Sequence, residues 1–199
     1  MRRWTALFVF LGLLLVISPE ARGAYAPEVD YMERMVAAAL SGDREAGRAA
    51  QADREEKLAA EGLELPAVDF DELYLLSRLI WAEAGSEWLD ERWKMAVGEV
   101  VLNRVASPEF PDTLAEVARQ PGQYYGSGAY LDSLKPSYAC VLAAKKLLEG
   151  ERVLNQPAVV FQSNGVQGSG VFLELRDSVL GSTYLCFSNH MDLYESNAA

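Results

Sequence analysis

The sequence is poor in the residues that hold metals or attack substrates covalently. In 199 residues it has one histidine, His190, and two cysteines, Cys140 and Cys186. A zinc amidase needs several His, Cys or acidic ligands at set spacings, and no HExxH-type pattern is present. That class is excluded, and neither a metal nor another cofactor is expected. A Cys–His protease would have to draw on His190 with Cys140 or Cys186, and no orienting signature accompanies either cysteine. His190 reads as an exposed residue near the end of the chain. Basic residues are also scarce: 18 Lys and Arg stand against 29 Asp and Glu, a net charge of −11. Nucleic acid and anionic membrane surfaces both demand cationic side chains, so neither is an expected partner. The acidity reads as solubility. Internal repeats are absent, and the one long apolar run, Trp4–Ile17, is too short to span a bilayer comfortably.

What is present is half hydrophobic, enough for one domain with a sizeable core. Residues 1–23 have the form of a secretory signal. Arg2 and Arg3 supply the charged start, and Ala21-Arg22-Gly23 puts small residues at the −3 and −1 positions. The alternative is an uncleaved anchor through residues 4–17. Either way the chain is expected to be exported, to the cell wall, periplasm or a spore cortex. Export permits a disulfide between Cys140 and Cys186; two buried thiols acting as small hydrophobes is the competing reading. Residues 24–68 read as a charged helical or flexible spacer, with a self-association helix as the lesser alternative. Met32, Met35, Val36, Ala39 and Leu40 have helical spacing, Gly42 interrupts, and Arg44 to Glu61 is rich in Ala, Arg and Glu. Pro66 marks the expected boundary of a domain over 69–192, followed by a tail over 193–199.

Within that domain the period predicts helices first and strands later. Leu73, Leu76 and Ile80, with Leu75 and Leu79 beside them, trace one helix face, with Asp69 as N-cap, Glu72 as capping-box partner and Gly85 as the C′ stop. A second helix runs from about Leu89 to Val105; Glu99 and Asn103, four apart, share a face away from its apolar stripe. Thr113 and Glu116 form another capping box that opens a short helix. Gln120 to Gly128 is a loop by its Pro and Gly content. Pro136 opens a helix to about Glu149, with Gly150 as its stop. Residues 158–162, 171–175 and 183–187 alternate as strands, and Asn164–Gly170 reads as the hairpin loop between the first two. The class is α+β, a compact mostly helical domain with a small antiparallel β-sheet.

Glu83 is the residue out of place. It lies seven residues after Leu76 and three after Ile80, in the last turn of its helix. The negative end of the helix dipole and the apolar face both disfavour its charged form, pushing its pKa upward toward what a general acid needs. A local rule broken without compensation is where a site is expected.

The residues around it resemble a known family. The runs Leu79-Ile80-Trp81-Ala82-Glu83-Ala84-Gly85-Ser86-Glu87 and Ala96-Val97-Gly98-Glu99-Val100-Val101-Leu102-Asn103-Arg104-Val105 are similar to those of cell wall hydrolases of the spore cortex-lytic type. So are Ser107-Pro108-Glu109-Phe110-Pro111-Asp112-Thr113 and Gln120-Pro121-Gly122-Gln123-Tyr124. The resemblance runs from about Leu73 to Phe187. Two departures stand out: many relatives carry arginine where this chain has Gly85, and the ending around His190 matches only loosely.

The resemblance implies a lysozyme-like catalytic arrangement that cleaves peptidoglycan glycan strands, with Glu83 as the catalytic glutamate. It further implies, for at least part of the family, lytic transglycosylation between muramic acid and N-acetylglucosamine. Glu87 is the nearest second carboxylate, entering the cleft or capping the next helix. Gln123 and Tyr124 suit a sugar-binding lip, by hydrogen bond and by ring stacking. The expected partners are glycan strands and a regulatory protein. The rival of another class is a non-catalytic wall-binding or scaffold protein that retains the fold, in spore germination or at the wall.

Overall fold

A computed structural model describes residues 31–124 and 129–195. In chain order the elements are α1 (residues 31–41), α2 (Arg44–Glu61), α3 (Phe70–Ala84), α4 (Glu91–Val105), α5 (Leu114–Ala118), α6 (Ala129–Ser133) and α7 (Tyr138–Leu148). Then follow β1 (Val159–Ser163), β2 (Val171–Asp177), β3 (Gly181–Phe187) and α8 (Asp192–Glu195). The fold is α+β: helices packed around a small three-stranded antiparallel sheet. The signal or anchor expected over residues 1–23 lies outside the described residues. Among the described residues no helix is long and apolar enough to cross a membrane.

Short polar side chains start the helices by accepting an otherwise orphaned backbone N–H. Asp69 accepts from Glu72 N at 2.9 Å, Asp90 from Trp93 N at 2.8 Å and Thr113 from Glu116 N at 3.2 Å. Thr113 also donates to the Glu116 carboxylate at 2.6 Å. Gly85 ends α3 for a different reason from the one expected. Its backbone is right-handed (φ −71°), not the left-handed C′ conformation. What requires glycine there is space, because a Cβ would sit 2.2 Å from the Trp81 carbonyl oxygen and 2.8 Å from its ring.

The centre of the molecule is α4, which is buried almost all round. Met95 and Val101 join the main helical core, Ala96 and Val100 meet Val159 and Leu185 of the sheet, and Val97 packs with Ala84 and Leu89. A helix enclosed on every side must find partners for its polar side chains inside the protein. Gly98 permits its crossing with α3 and α7: a Cβ would lie 2.5 Å from Leu147 Cδ1 and 2.7 Å from Ile80 Cδ1.

The polar residues of α4 do not face water. They hold the segment that leads into β1. Glu99, 1% exposed, accepts from the backbone N–H groups of Val153 at 2.6 Å, Leu154 at 2.9 Å and Asn155 at 2.9 Å. Asn103 donates to the carbonyls of Gln156 at 3.0 Å and Val159 at 2.9 Å, and Arg104 Nε to that of Val160 at 2.6 Å. One helix face thus supplies in sequence the partners that an irregular approach to a strand lacks.

Several expectations change in three dimensions. The stretch before Pro66 does not stand apart as a spacer. Met32, Met35, Val36, Ala39 and Ala50 are buried in the same cluster as Leu73, Leu76 and Leu147. Helix α2 showed little apolar periodicity because it buries small residues, Gly47 and Ala50, and the stem of Arg54, whose Nη2 donates to the Pro66 carbonyl at 3.0 Å. The strand order is β1-β3-β2, so Asn164–Gly170 is a crossover, not a hairpin loop. The hairpin lies between β2 and β3, where the Asp177 carboxylate accepts from Val179 N and Leu180 N, both at 2.8 Å. These bonds hold that carboxyl below its usual range. The C-terminal end is not a free tail as far as it is described. Tyr194 donates to Glu109 Oε1 at 2.8 Å, and its hydroxyl lies 2.5 Å from that of Ser107. Cys140 and Cys186 form no disulfide. Each is a buried free thiol, Cys140 on α7 in the helical core and Cys186 on β3.

Candidate active site

A cleft of about 1110 Å³ opens between the helices and the sheet. One wall is the C-terminal end of α3 and the turn that follows, Trp81 to Ser86, with Leu89 and Trp93. The other is the sheet edge: Phe161, Gln162 and Ser163 of β1, Asn164 and Gln167 beyond it, and Gly181, Ser182 and Thr183 of β3. Gly122, Gln123 and Tyr124 form the lip between them. One wall is therefore largely aromatic and aliphatic, the other amide- and hydroxyl-rich. That pairing suits a carbohydrate, which presents C–H faces to rings and hydroxyls to amides.

Glu83 stands on this cleft, half-buried, in the last turn of α3. Leu76 and Ile80 before it are fully buried, and Ala84 after it packs with Leu89 and Val97, so the backbone carrying the carboxylate is fixed. Among the described residues lining the cleft, Glu83 is the one carboxylate and Arg104 the one cation. Lys94 supports the turn from beneath: its ammonium, 1% exposed, donates to the Ser86 carbonyl at 2.8 Å and that of Leu89 at 2.6 Å. This buried lysine ties down the loop between α3 and α4, which supplies Ser86 and Leu89 to the apolar wall.

The structure separates the other sequence candidates. Gln123 is exposed at the lip, and Tyr124 lines the cleft with it. Glu87 does not join them: it is an exposed turn residue outside the lining. The chain leaves α3 at Gly85 and the turn carries Glu87 outward, so the second carboxylate expected from proximity in sequence is not on the cleft. The N-cap of α4 is Asp90, not Glu87.

Tyr124 also departs from a stacking role. The Arg104 guanidinium lies 5.2 Å from its ring centroid, and the ring packs against the helical core, so sugar stacking on that ring is not its evident use. Burial pushes the Tyr124 phenol up to about 12; Glu83's negative charge adds to the rise and the nearby Arg104 opposes it. Tyr124 therefore feels the charge of both Glu83 and Arg104. Arg104 does not stand out in the sequence, one residue before the end of α4. Its role was hidden because its partners, the carbonyl of Val160 and the rings of Phe110, Tyr124 and Phe161, come from other parts of the chain. Trp93 and Gln162, on a helix and a strand, likewise carry no local signal of a cleft.

Comparison with known proteins gives the following. The sequence model of the cell wall hydrolase family matches residues 90–178, from the cap of α4 through β2. That span includes Arg104, Gln123, Tyr124 and Phe161; Glu83 precedes it. Among solved structures, the catalytic domain of the Bacillus cereus SleB protein is similar at 19% identity, over 61% of this chain and 94% of that one, with a TM-score of 0.47. The catalytic domain of the germination-specific lytic transglycosylase SleB from Bacillus anthracis is similar at 19% identity, over 60% of this chain and 96% of that one, with a TM-score of 0.46. No curated protein matches. Over residues 90–178 the chain carries the sequence pattern of the cell wall hydrolases, and the resemblance read from its motifs is borne out there.

Proposed function

We propose that the chain cleaves peptidoglycan glycan strands as a lytic transglycosylase, cutting between muramic acid and N-acetylglucosamine with Glu83 as general acid and then base. The observation that carries this reading is the single carboxylate among the described residues lining the cleft. Two-carboxylate hydrolysis needs a second acid as nucleophile or to activate water, and Glu87 lies outside the lining. A single carboxyl suffices if the sugar supplies its own nucleophile. Glu83 protonates the bridging oxygen as the C1–O bond breaks, and N-acetylglucosamine leaves with a free 4-hydroxyl. The Glu83 carboxylate then takes the proton of the muramic C6 hydroxyl as O6 bonds to C1. The product carries a 1,6-anhydro ring, Glu83 is protonated again, and no water is consumed.

The local physics supports the acid role. The α3 C-terminus and the apolar wall disfavour a charged carboxylate at Glu83 and so favour the protonated form that a proton donor must hold in the resting enzyme. Export to the wall or cortex, through residues 1–23 as a signal or 4–17 as an anchor, belongs to the same proposal, as does control by a regulatory protein. The test is mass spectrometry of soluble fragments after digesting peptidoglycan with the protein and with Glu83→Gln. Anhydro-muramic ends, absent with the variant, are expected. Reducing ends would mean hydrolysis. Products that persist with Glu83→Gln would remove Glu83 from the mechanism.

A further inference from the structure

The run Ser107-Pro108-Glu109-Phe110-Pro111 has no task in the proposed chemistry. In the structure it is the loop that leaves α4, and the Glu109 carboxylate in it collects bonds from residues far along the chain. Its Oε1 accepts from the hydroxyl of Ser188, just past β3, and from that of Tyr194 on α8 at 2.8 Å. The protons run one way. Ser107 Oγ accepts from Glu109 N at 3.1 Å and donates to the Tyr194 oxygen at 2.5 Å, since the Tyr194 proton is spent on Glu109. Ser188 Oγ accepts from His190 N at 2.8 Å. Each hydroxyl is thus both donor and acceptor, and the chain of bonds ends on a carboxylate oxygen, which brings no proton.

Ser188, fully buried, is also where the sheet is gathered. Its N–H donates to the Ala158 carbonyl at 2.8 Å, at the approach to β1, and its carbonyl accepts from Ser169 Oγ at 2.5 Å, on the crossover between β1 and β2. Strand β1 and that crossover supply Phe161, Gln162, Asn164 and Gln167 to the cleft. Behind them Phe110, next to Glu109, meets Phe161 edge-on, with centroids 6.4 Å apart and planes at 71°, and lies 5.1 Å from the Arg104 guanidinium. One carboxylate therefore ties the loop that backs Phe161 to the residue that gathers the strands. Glu83 is fixed separately, by the packing of Ala84 with Leu89 and Val97. We propose that Glu109 is a positioning residue, whose bonds to Ser188 and Tyr194 hold the sheet-side wall of the cleft at the spacing a glycan strand requires. The proposal rests on the reading of the cleft as a glycan site. Glu109, Ser188 and Tyr194 lie outside the lining, so this clasp acts through Phe110 and the strands.

The test compares Glu109→Gln, Glu109→Leu and Tyr194→Phe with the parent on glycan strands solubilised from peptidoglycan by sonication. KM and kcat come from fragment release and Kd from tryptophan fluorescence, all measured well below each melting temperature. Both hydroxyls donate to the same oxygen, so glutamine keeps both bonds on its carbonyl and leucine keeps neither. Glu109→Leu is expected to raise KM and Kd about tenfold and Tyr194→Phe about threefold, with kcat within about twofold of the parent. Glu109→Gln should stay within about twofold of the parent in all three constants. A purely structural role would lower the melting temperature and leave KM and Kd where they were. Unchanged KM and Kd in Glu109→Leu, a fall in kcat alone, or a Glu109→Gln as weak as Glu109→Leu would overturn the clasp while cleavage by the parent stands. If Glu109→Leu does not fold, KM and Kd of Tyr194→Phe decide in the same way. If the parent binds the strands without cleaving them, and the variants keep the expected order in Kd, the clasp stands and the cleavage proposal falls. If the parent neither binds nor cleaves, both fall.

Discussion

Glu99→Gln separates a structural glutamate from the one proposed to act. The Glu99 carboxylate is buried and accepts three backbone N–H bonds, two on Oε2 and one on Oε1. Glutamine keeps one oxygen, which can retain the Val153 and Leu154 bonds. Its amide nitrogen then faces the N–H of Asn155, donor against donor. One charge-assisted bond is lost, a buried N–H is stranded, and the remaining two bonds lose the help of the charge. Together these cost about 2–4 kcal/mol. For a chain of this length that corresponds to a fall of roughly 5–15 °C in melting temperature. The assay is thermal unfolding followed by circular dichroism, with urea unfolding beside it. The urea midpoint should fall while the slope is unchanged, since the surface exposed on unfolding is the same. Glu83→Gln should show the opposite pattern, with lost activity and a melting temperature within about 2 °C of the parent, as for a residue only half-buried. A melting temperature for Glu99→Gln within about 2 °C of the parent would refute the reasoning, because three bonds to a buried carboxylate cannot then be holding the approach to β1.

The remaining expectations follow from particular residues. Without reductant, thiol titration should find Cys140 and Cys186 both free once the protein is unfolded, and the native Cys140 thiol should react slowly because burial raises its pKa; a melting temperature that falls on adding dithiothreitol would contradict the free state. Gly85→Ala should lower activity and shift the Trp81 environment, seen in tryptophan fluorescence, because the added methyl meets the Trp81 carbonyl oxygen at 2.2 Å and the backbone after Glu83 must move. The Tyr124 phenol, raised to about 12 in the folded state, makes the folded protein bind more protons than the unfolded chain above pH 10. Tyr124 titration therefore leaves stability unchanged below pH 10 and lowers it as pH rises toward 12, by up to about 3 kcal/mol, because the buried phenol resists the ionisation that the unfolded chain undergoes. Urea unfolding between pH 8 and 11.5 should show that alkaline decline in the parent and less of it in Tyr124→Phe.

Much of the fold was legible because its signals are local. A cap needs an aspartate or threonine within three residues of the N–H it accepts, so Asp69 and Thr113 could be read directly. Helix and strand periods needed only neighbouring residues, and Glu83 stood out because an acid three residues after Ile80 breaks its own helix's pattern. Glu99 and Asn103 were legible as sharing a face, but not as the residues that hold the segment into β1.

What the sequence by itself determined was the class of the fold, the order of its elements and the position of one misplaced carboxylate. Each depends on contacts within a turn or two of the chain. Only the tertiary structure decided that β1 pairs with β3 and not with β2, that α1 and α2 share the core with α3, and that Glu87 lies outside the cleft lining. It also decided that both cysteines stay apart and that Arg104 meets Tyr124 beside Glu83. The physical reason is that long-range pairings are chosen by competition among all buried surfaces at once.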